Sequence, residues 1–201
     1  PARPLMPDPG FAHHPGKAVW ALETELYQAA QALHPQLRDM FVAAMATTPL
    51  RGEAFRRWAE EVVQNRAKRG EAYPVGWIHP QVLQALADRG IEAETAVIVI
   101  NDKRVVHSVR EAKGSSALDA ADFLRLPEIL ASPEAVLFDR RKQNLLYITS
   151  LLAEQKGKIV VEVNYTLKKK GTVNFVLTAG RVPKEELTKK RQYELLLGEV
   201  E

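Results

Sequence analysis

The chain has 201 residues, 46% of them apolar and 26% charged, with a net charge of +3; these are proportions of a folded domain and exclude disorder as the default. The absence of cysteine excludes disulfides, thiolate metal sites and thiol redox chemistry. No apolar run approaches the roughly 20 residues of a membrane span, so we expect a soluble protein with no membrane partner, and we read the opening on Pro1 as processing or excision from a longer chain.

Residues 1–16 carry five prolines and two glycines, which rules out a helix interior and predicts an extended arm. His13 and His14 lie in it, without partners at ligand spacing, and are read as solvated rather than metal-bound. From Lys17 the apolar period becomes helical. Val19, Leu22, Leu26, Ala30 and Leu33 define a first helix that Pro35 ends, and Leu37, Met40, Phe41, Ala44 and Met45 a second. Phe55, Trp58, Ala59, Val62 and Val63 define a third, closed near Gly70. Arg56, Arg57, Arg66, Lys68 and Arg69 are read as a solvated face with Glu53, Glu60 and Glu61 beside them, rather than a nucleic-acid face.

The proline, glycines and aromatics of residues 70–79 suggest a domain boundary near Tyr73. A short helix follows from Pro80 to Arg89, then the β-branched run 95–100, expected to be a strand covered on both faces. The segment RVVHSVREAKG fits either a helical turn or an edge strand. A helix over 116–125 precedes four β-patterned runs at 135–139, 145–152, 158–168 and 172–182, whose short connections predict an antiparallel meander. Leu187, Tyr193, Leu196 and Leu197 suggest a final helix. The expected organisation is an arm over 1–16, a helical region over 17–72, an α+β domain over 73–183 and a helical tail over 184–201.

Charge is unevenly spread. Residues 136–191 hold thirteen Lys and Arg against five Asp and Glu, whereas residues 91–135 hold five against eight. A basic sheet region of this kind suits a polyanion, above all nucleic acid.

The segments VGWIHPQVLQAL, VIVINDKRVVHSVR, LRLPEILASPEAVLFD and LLYITSLL, with the two long strands after them, resemble a phage nuclease domain of the group named for barnase, EndoU, colicin and RelE. Such domains are fused to Mu F-type minor head (head morphogenesis) proteins. FAHHPGKAVW resembles a segment near the end of those proteins, with His14 where asparagine is expected. The resemblance implies an α+β fold, helices packed on a four-stranded antiparallel β-sheet, and toxin-like RNA cleavage by 2′-hydroxyl attack with no metal and no cofactor. It implies nucleic acid as partner, RNA before DNA, with capsid or portal proteins or an immunity protein besides. The location implied is the phage virion or the bacterial cytoplasm.

The local match carries over His107 and Arg110. His107 can exchange protons near neutral pH, and on a helix Arg110 and Lys113 would share its face. The long strands alternate apolar residues with Asn, Thr and Lys, so the polar sheet face could hold a ribose-phosphate backbone. We therefore expect His107, Arg110 and Thr178 to converge as catalytic groups. Lys113, Lys168, Asn174, Arg140 and Arg141 are expected to bind nucleic acid. Tyr165 shares its register with the core and is read as packing. Each of these residues also has a bland reading, as a half-buried structural histidine or as solvated strand polarity. Two alternatives stand beside the nuclease: a non-catalytic capsid or DNA-packaging module, and an ADP-ribosyltransferase. Against the second, none of the expected strands carries a Glu-x-Glu or Gln-x-Glu pair, and Glu185 and Glu186 are adjacent and follow a proline.

Overall fold

A computed structural model of the chain describes residues 19–47, 52–66, 69–109, 117–151 and 155–200. The arm expected over 1–16, with His13 and His14, lies outside them. Three helices lead: α1 (Val19–Ala30), α2 (Pro35–Thr47) and α3 (Gly52–Asn65). Pro35 opens α2 rather than merely ending α1, because the first helical turn needs no proline amide. The helical spacing reads directly as burial, with Leu26, Ala30 and Leu33 inside from the first segment and Phe55, Ala59 and Val62 from the third.

After them come β1 (Ala72–Trp77), α4 (Pro80–Asp88), β2 (Val97–Asn101), α5 (Asp102–Val109), α6 (Ala120–Phe123) and α7 (Leu126–Ala131). Then follow β3 (Ala135–Asp139), β4 (Asn144–Ser150), β5 (Gln155–Leu167), β6 (Gly171–Pro183), a 3-10 turn (Lys184–Thr188) and β7 (Tyr193–Gly198). The ambiguous segment after β2 is thus a helix in its described part, and the expected C-terminal helix is a 3-10 turn and a strand.

The four-stranded antiparallel sheet expected from sequence is incorrect. The sheet has seven strands in the order β1-β2-β6-β5-β4-β3-β7 and is mixed, because β2 runs parallel to β6. Strands β3 to β6 pair consecutively and antiparallel, and three strands the sequence did not place there join at its two sides. Pro74 hid β1. At an edge, a strand tolerates a residue without an amide donor, and the register shifts between Pro74 and Gly76. A Cβ on Gly76 would lie 3.1 Å from the Leu130 side chain of α7, a tight contact that glycine relieves where helix and strand approach closely. Strand β7 was hidden by helix-forming residues, Glu and Leu, which pair with β3 because its other side is open.

The sheet buries both faces unequally. The larger core includes Val136, Phe138, Leu145, Tyr147, Ile159 and Val161 and receives buried apolar residues from the helices, among them Leu26, Phe41, Phe55, Leu83, Val105, Phe123 and Ile129. A smaller cluster on the other face, Ala135, Leu137, Leu146, Ile148 and Val182, is covered by Leu187 of the 3-10 turn. Alternation along β3 and β4 sets this division. In β2, Ile98 and Ile100 are buried while Val97 and Val99 are only half-buried, so that strand is less covered than its composition suggested. Across the boundary expected near Tyr73 the core is continuous. Tyr73 stacks on Trp58 of α3 at 5.2 Å and meets Phe55 edge-on at 6.0 Å, and Trp77 meets Phe41 of α2 at 6.5 Å.

Candidate functional site

Helix α5 is held at its start by two adjacent residues with different tasks. Asn101 caps it, its Oδ1 accepting from the Arg104 amide at 3.0 Å. Asp102 is buried, and its carboxylate accepts from the backbone amides of Arg69, Gly70 and Glu71, the shortest at 2.6 Å. These bonds satisfy a buried charge and tie α5 to the segment entering β1. Val105 and Ser108 are buried. Lys103, Arg104, Val106 and His107 are left to line a cleft of about 520 Å³ against the tip of the β5–β6 hairpin, which contributes Tyr165, Thr166, Leu167, Lys168 and Phe175.

The hairpin has this shape because of two asparagines. Asn164 takes a left-handed φ of +56°, within a register shift that runs from Glu162 to Tyr165. Its side chain donates to Glu92 O at 2.8 Å and accepts from the Glu94 amide at 2.9 Å. Asn174, fully buried, donates to Thr95 O at 2.7 Å and Val97 O at 2.9 Å and accepts from the Asn164 amide at 3.3 Å. The loop before β2 is thereby fastened to the irregular part of the hairpin. The shift also takes Tyr165 out of the register of Ile159 and Val161, so that it stacks on Phe175 at 4.7 Å and lines the cleft. The Arg104 guanidinium lies 5.7 Å from the centre of the Phe175 ring, a cation–π contact.

The lining of the cleft includes Lys103, Arg104, His107 and Lys168 and, among the described residues, no carboxylate. Cations around an aromatic pair suit a phosphate carried next to a flat ring, and His107 adds a group able to exchange a proton there. Of the residues singled out in the sequence, His107 and Lys168 come together in this cleft. Asn174 is committed to the backbone carbonyls just described. Thr178 pairs with Val160 in the middle of the sheet and is not part of the cleft lining. Arg140 and Arg141 are exposed in the β3–β4 turn and are not part of the cleft lining. Arg110 and Lys113 lie outside the described residues. The sequence reading missed Lys103, Arg104, Phe175 and the role of Tyr165. Strict alternation conceals Tyr165 and Phe175, while Lys103 and Arg104 lie beside and within the segment that fits helix or strand equally; the one local hint for the strands was an asparagine at 164, a residue type that tolerates left-handed backbone.

Among the described residues no three His, Asp or Glu side chains gather as a metal site, and no helix is long and apolar enough to cross a membrane.

Protein F of Escherichia phage Mu, named as a capsid assembly protein, is 25% identical over 185 residues, 91% of this chain. The chain is similar to the F proteins of Mu-like phages. The Mu-like prophage FluMu F protein of Haemophilus influenzae is 26% identical over 208 aligned positions, covering 95% of the chain. The chain spans less than half of either relative, 41% and 48% of their lengths. Neither name mentions a nuclease, a toxin or RNA. No family model matches the chain, and no solved structure matches it.

Proposed function

We propose that this chain is part of a phage head-morphogenesis protein of the Mu F type and acts in capsid assembly as a non-catalytic module, its partners being capsid components and the nucleic acid they enclose. The observation that carries this reading is similarity running through nine-tenths of the chain to two F proteins, one of them named for capsid assembly. The cleft between α5 and the β5–β6 hairpin supports a nucleic-acid contact, since Lys103, Arg104 and Lys168 surround an aromatic pair with no carboxylate among the described lining residues. Mass spectrometry of purified heads and assembly intermediates, from the phage or prophage carrying this chain, tests the reading. The protein is expected in the particles or their precursors; its absence from both overturns it.

A second reading, metal-independent ribonuclease, draws on one specific observation: His107 and Lys168 line the same cleft as Arg104. In that reading His107 moves the proton and the cations hold the phosphate. Incubation with total tRNA in EDTA beside a His107→Ala variant separates the two readings. Cleavage lost in the variant establishes the nuclease, and intact RNA at high protein excess removes it.

A further inference from the structure

A second basic surface, sharing no lining residue with the cleft, lies where the β3–β4 turn meets the segment leading into β7. The Arg140 amide donates to Gln192 O at 2.8 Å, and Gln192 Nε2 donates to the Asp139 carboxylate at 3.3 Å. Asp139 is buried, and its other oxygen accepts from the amides of Arg141 and Lys142 at 2.9 and 3.1 Å. The amides of Gln192 and Tyr193 both donate to Lys189 O. Two loops are therefore joined into one fixed surface carrying Arg140, Arg141, Lys142, Lys189, Lys190 and Arg191, all exposed.

Nearby carboxylates neutralise only part of it. Asp139 is used in shaping the turn, Glu186 pairs with Lys189 at 3.5 Å, and Glu194 is shared between Arg89 and Arg140. Arg141, Lys142, Lys190 and Arg191 have no ion pair among the described residues. Beneath them, half-buried Lys158 has its amine pushed below the usual lysine range by burial and then by Lys142, with Glu186 and Asp139 opposing the shift. Positive charge exceeds negative charge here, the carboxylates of Asp139, Glu186 and Glu194 offsetting only part of it.

The chemistry of the surface selects among anionic partners. A protein interface needs a desolvated apolar or aromatic centre, and Leu195, the exposed large hydrophobic among the described residues, lines a different groove beside α4. Tyr193 is partly buried against the small apolar cluster, which takes up part of its ring. Cations on tied loops, with no apolar centre and only a partly buried ring, match regularly spaced phosphates. We propose that this surface grips the sugar-phosphate backbone of duplex nucleic acid through Arg141, Lys142, Lys190 and Arg191. The site shares no residue with the cleft and does not depend on the head-assembly reading.

Fluorescence anisotropy with a short DNA duplex, across low to moderate salt, tests it. The protein is compared with a variant carrying Arg141→Ala, Lys142→Ala, Lys190→Ala and Arg191→Ala, and with a milder Lys142→Gln/Lys190→Gln variant that guards against misfolding. A third variant, Lys103→Ala/Lys168→Ala, alters only the cleft. The unaltered protein is expected to bind duplex with steep salt dependence. Each lost phosphate contact lowers the log–log salt slope by about 0.9, so the quadruple variant should lose a slope of about 3 to 4 and the double variant about half that. At low salt the quadruple variant should bind on the order of 100-fold more weakly. No duplex binding by the unaltered protein, an unchanged slope in both loop variants, loss in the cleft variant alone, or preference for polyglutamate over duplex would each overturn the proposal.

Discussion

At the residue scale the two hairpin asparagines show how few positions hold the cleft together. Asn174→Ala removes three hydrogen bonds and leaves the carbonyls of Thr95 and Val97 without their donor. We expect it to cost about 2–4 kcal/mol in urea unfolding, above the usual cost of one hydrogen bond because buried acceptors are left unpaired. An exposed Thr166→Ala on the same hairpin should leave the midpoint nearly unchanged. Glu194 offers a pH-dependent contrast. Its hydrogen bond from Arg89, aided by the charges of Arg89 and Arg140, holds the carboxyl below its ordinary range, although partial burial works the other way. A carboxylate depressed in the folded state stabilises above the ordinary carboxylate range and loses that contribution as pH falls through the depressed value. Glu194→Gln should therefore lower stability at neutral pH by less than about 1 kcal/mol, the pair being partly exposed. Unfolding curves of variant and unaltered protein should merge in acid; a gap that persists there would contradict the assignment.

At the element scale, α5 is the piece that makes the cleft, and its position depends on bonds at its first turn. Asn101→Ala removes the cap on the Arg104 amide and should cost about 1 kcal/mol. Because Arg104 and His107 sit within two turns of that cap, crystal structures or NMR shifts should register the change at the cleft before the β3–β7 side of the sheet. Helix α3 depends on Phe55, which is fully buried and meets both Trp58 and Tyr73 edge-on. Phe55→Ala should cost about 3–5 kcal/mol through lost transfer energy and a cavity. Both sheet edges are irregular, with a register shift in β1 between Pro74 and Gly76 and another where β3 meets β7 between Val136 and Leu137. Such shifts twist an edge away from partners that would otherwise add a strand. Gln81 of α4 also donates to Leu196 O of β7 at 3.2 Å, occupying one edge carbonyl.

At the scale of the molecule, one core runs from Leu26 of α1 to Leu196 of β7 and takes in the residues flanking Tyr73. Unfolding is accordingly expected as a single cooperative transition. Trp58 and Trp77 report the seam between the leading helices and β1, while far-UV circular dichroism reports the whole chain. Denaturation curves from the two signals should coincide. A fluorescence transition well before the dichroism transition would mean that residues 17–72 unfold as a unit of their own.

Local chemistry in the sequence determined the helices of the first third, the strands over 135–139, 145–152, 158–168 and 172–182 to within a few residues, and the concentration of positive charge toward the C-terminal part. Each depends on periodicity, composition or turn residues, and these act over a few positions. Only the tertiary structure decided the membership of β1, β2 and β7 in one sheet, because Pro74 is acceptable at an edge and Glu-Leu-Leu-Leu becomes a strand when β3 offers unpaired backbone. The cleft was legible in part. His107 and Lys168 stand out as residue types, but their meeting with Arg104, Tyr165 and Phe175 follows from a left-handed Asn164 and a register shift that alternation does not foresee. One displaced residue in a strand exchanges its faces, and strand faces decide which side chains meet solvent and which meet the core.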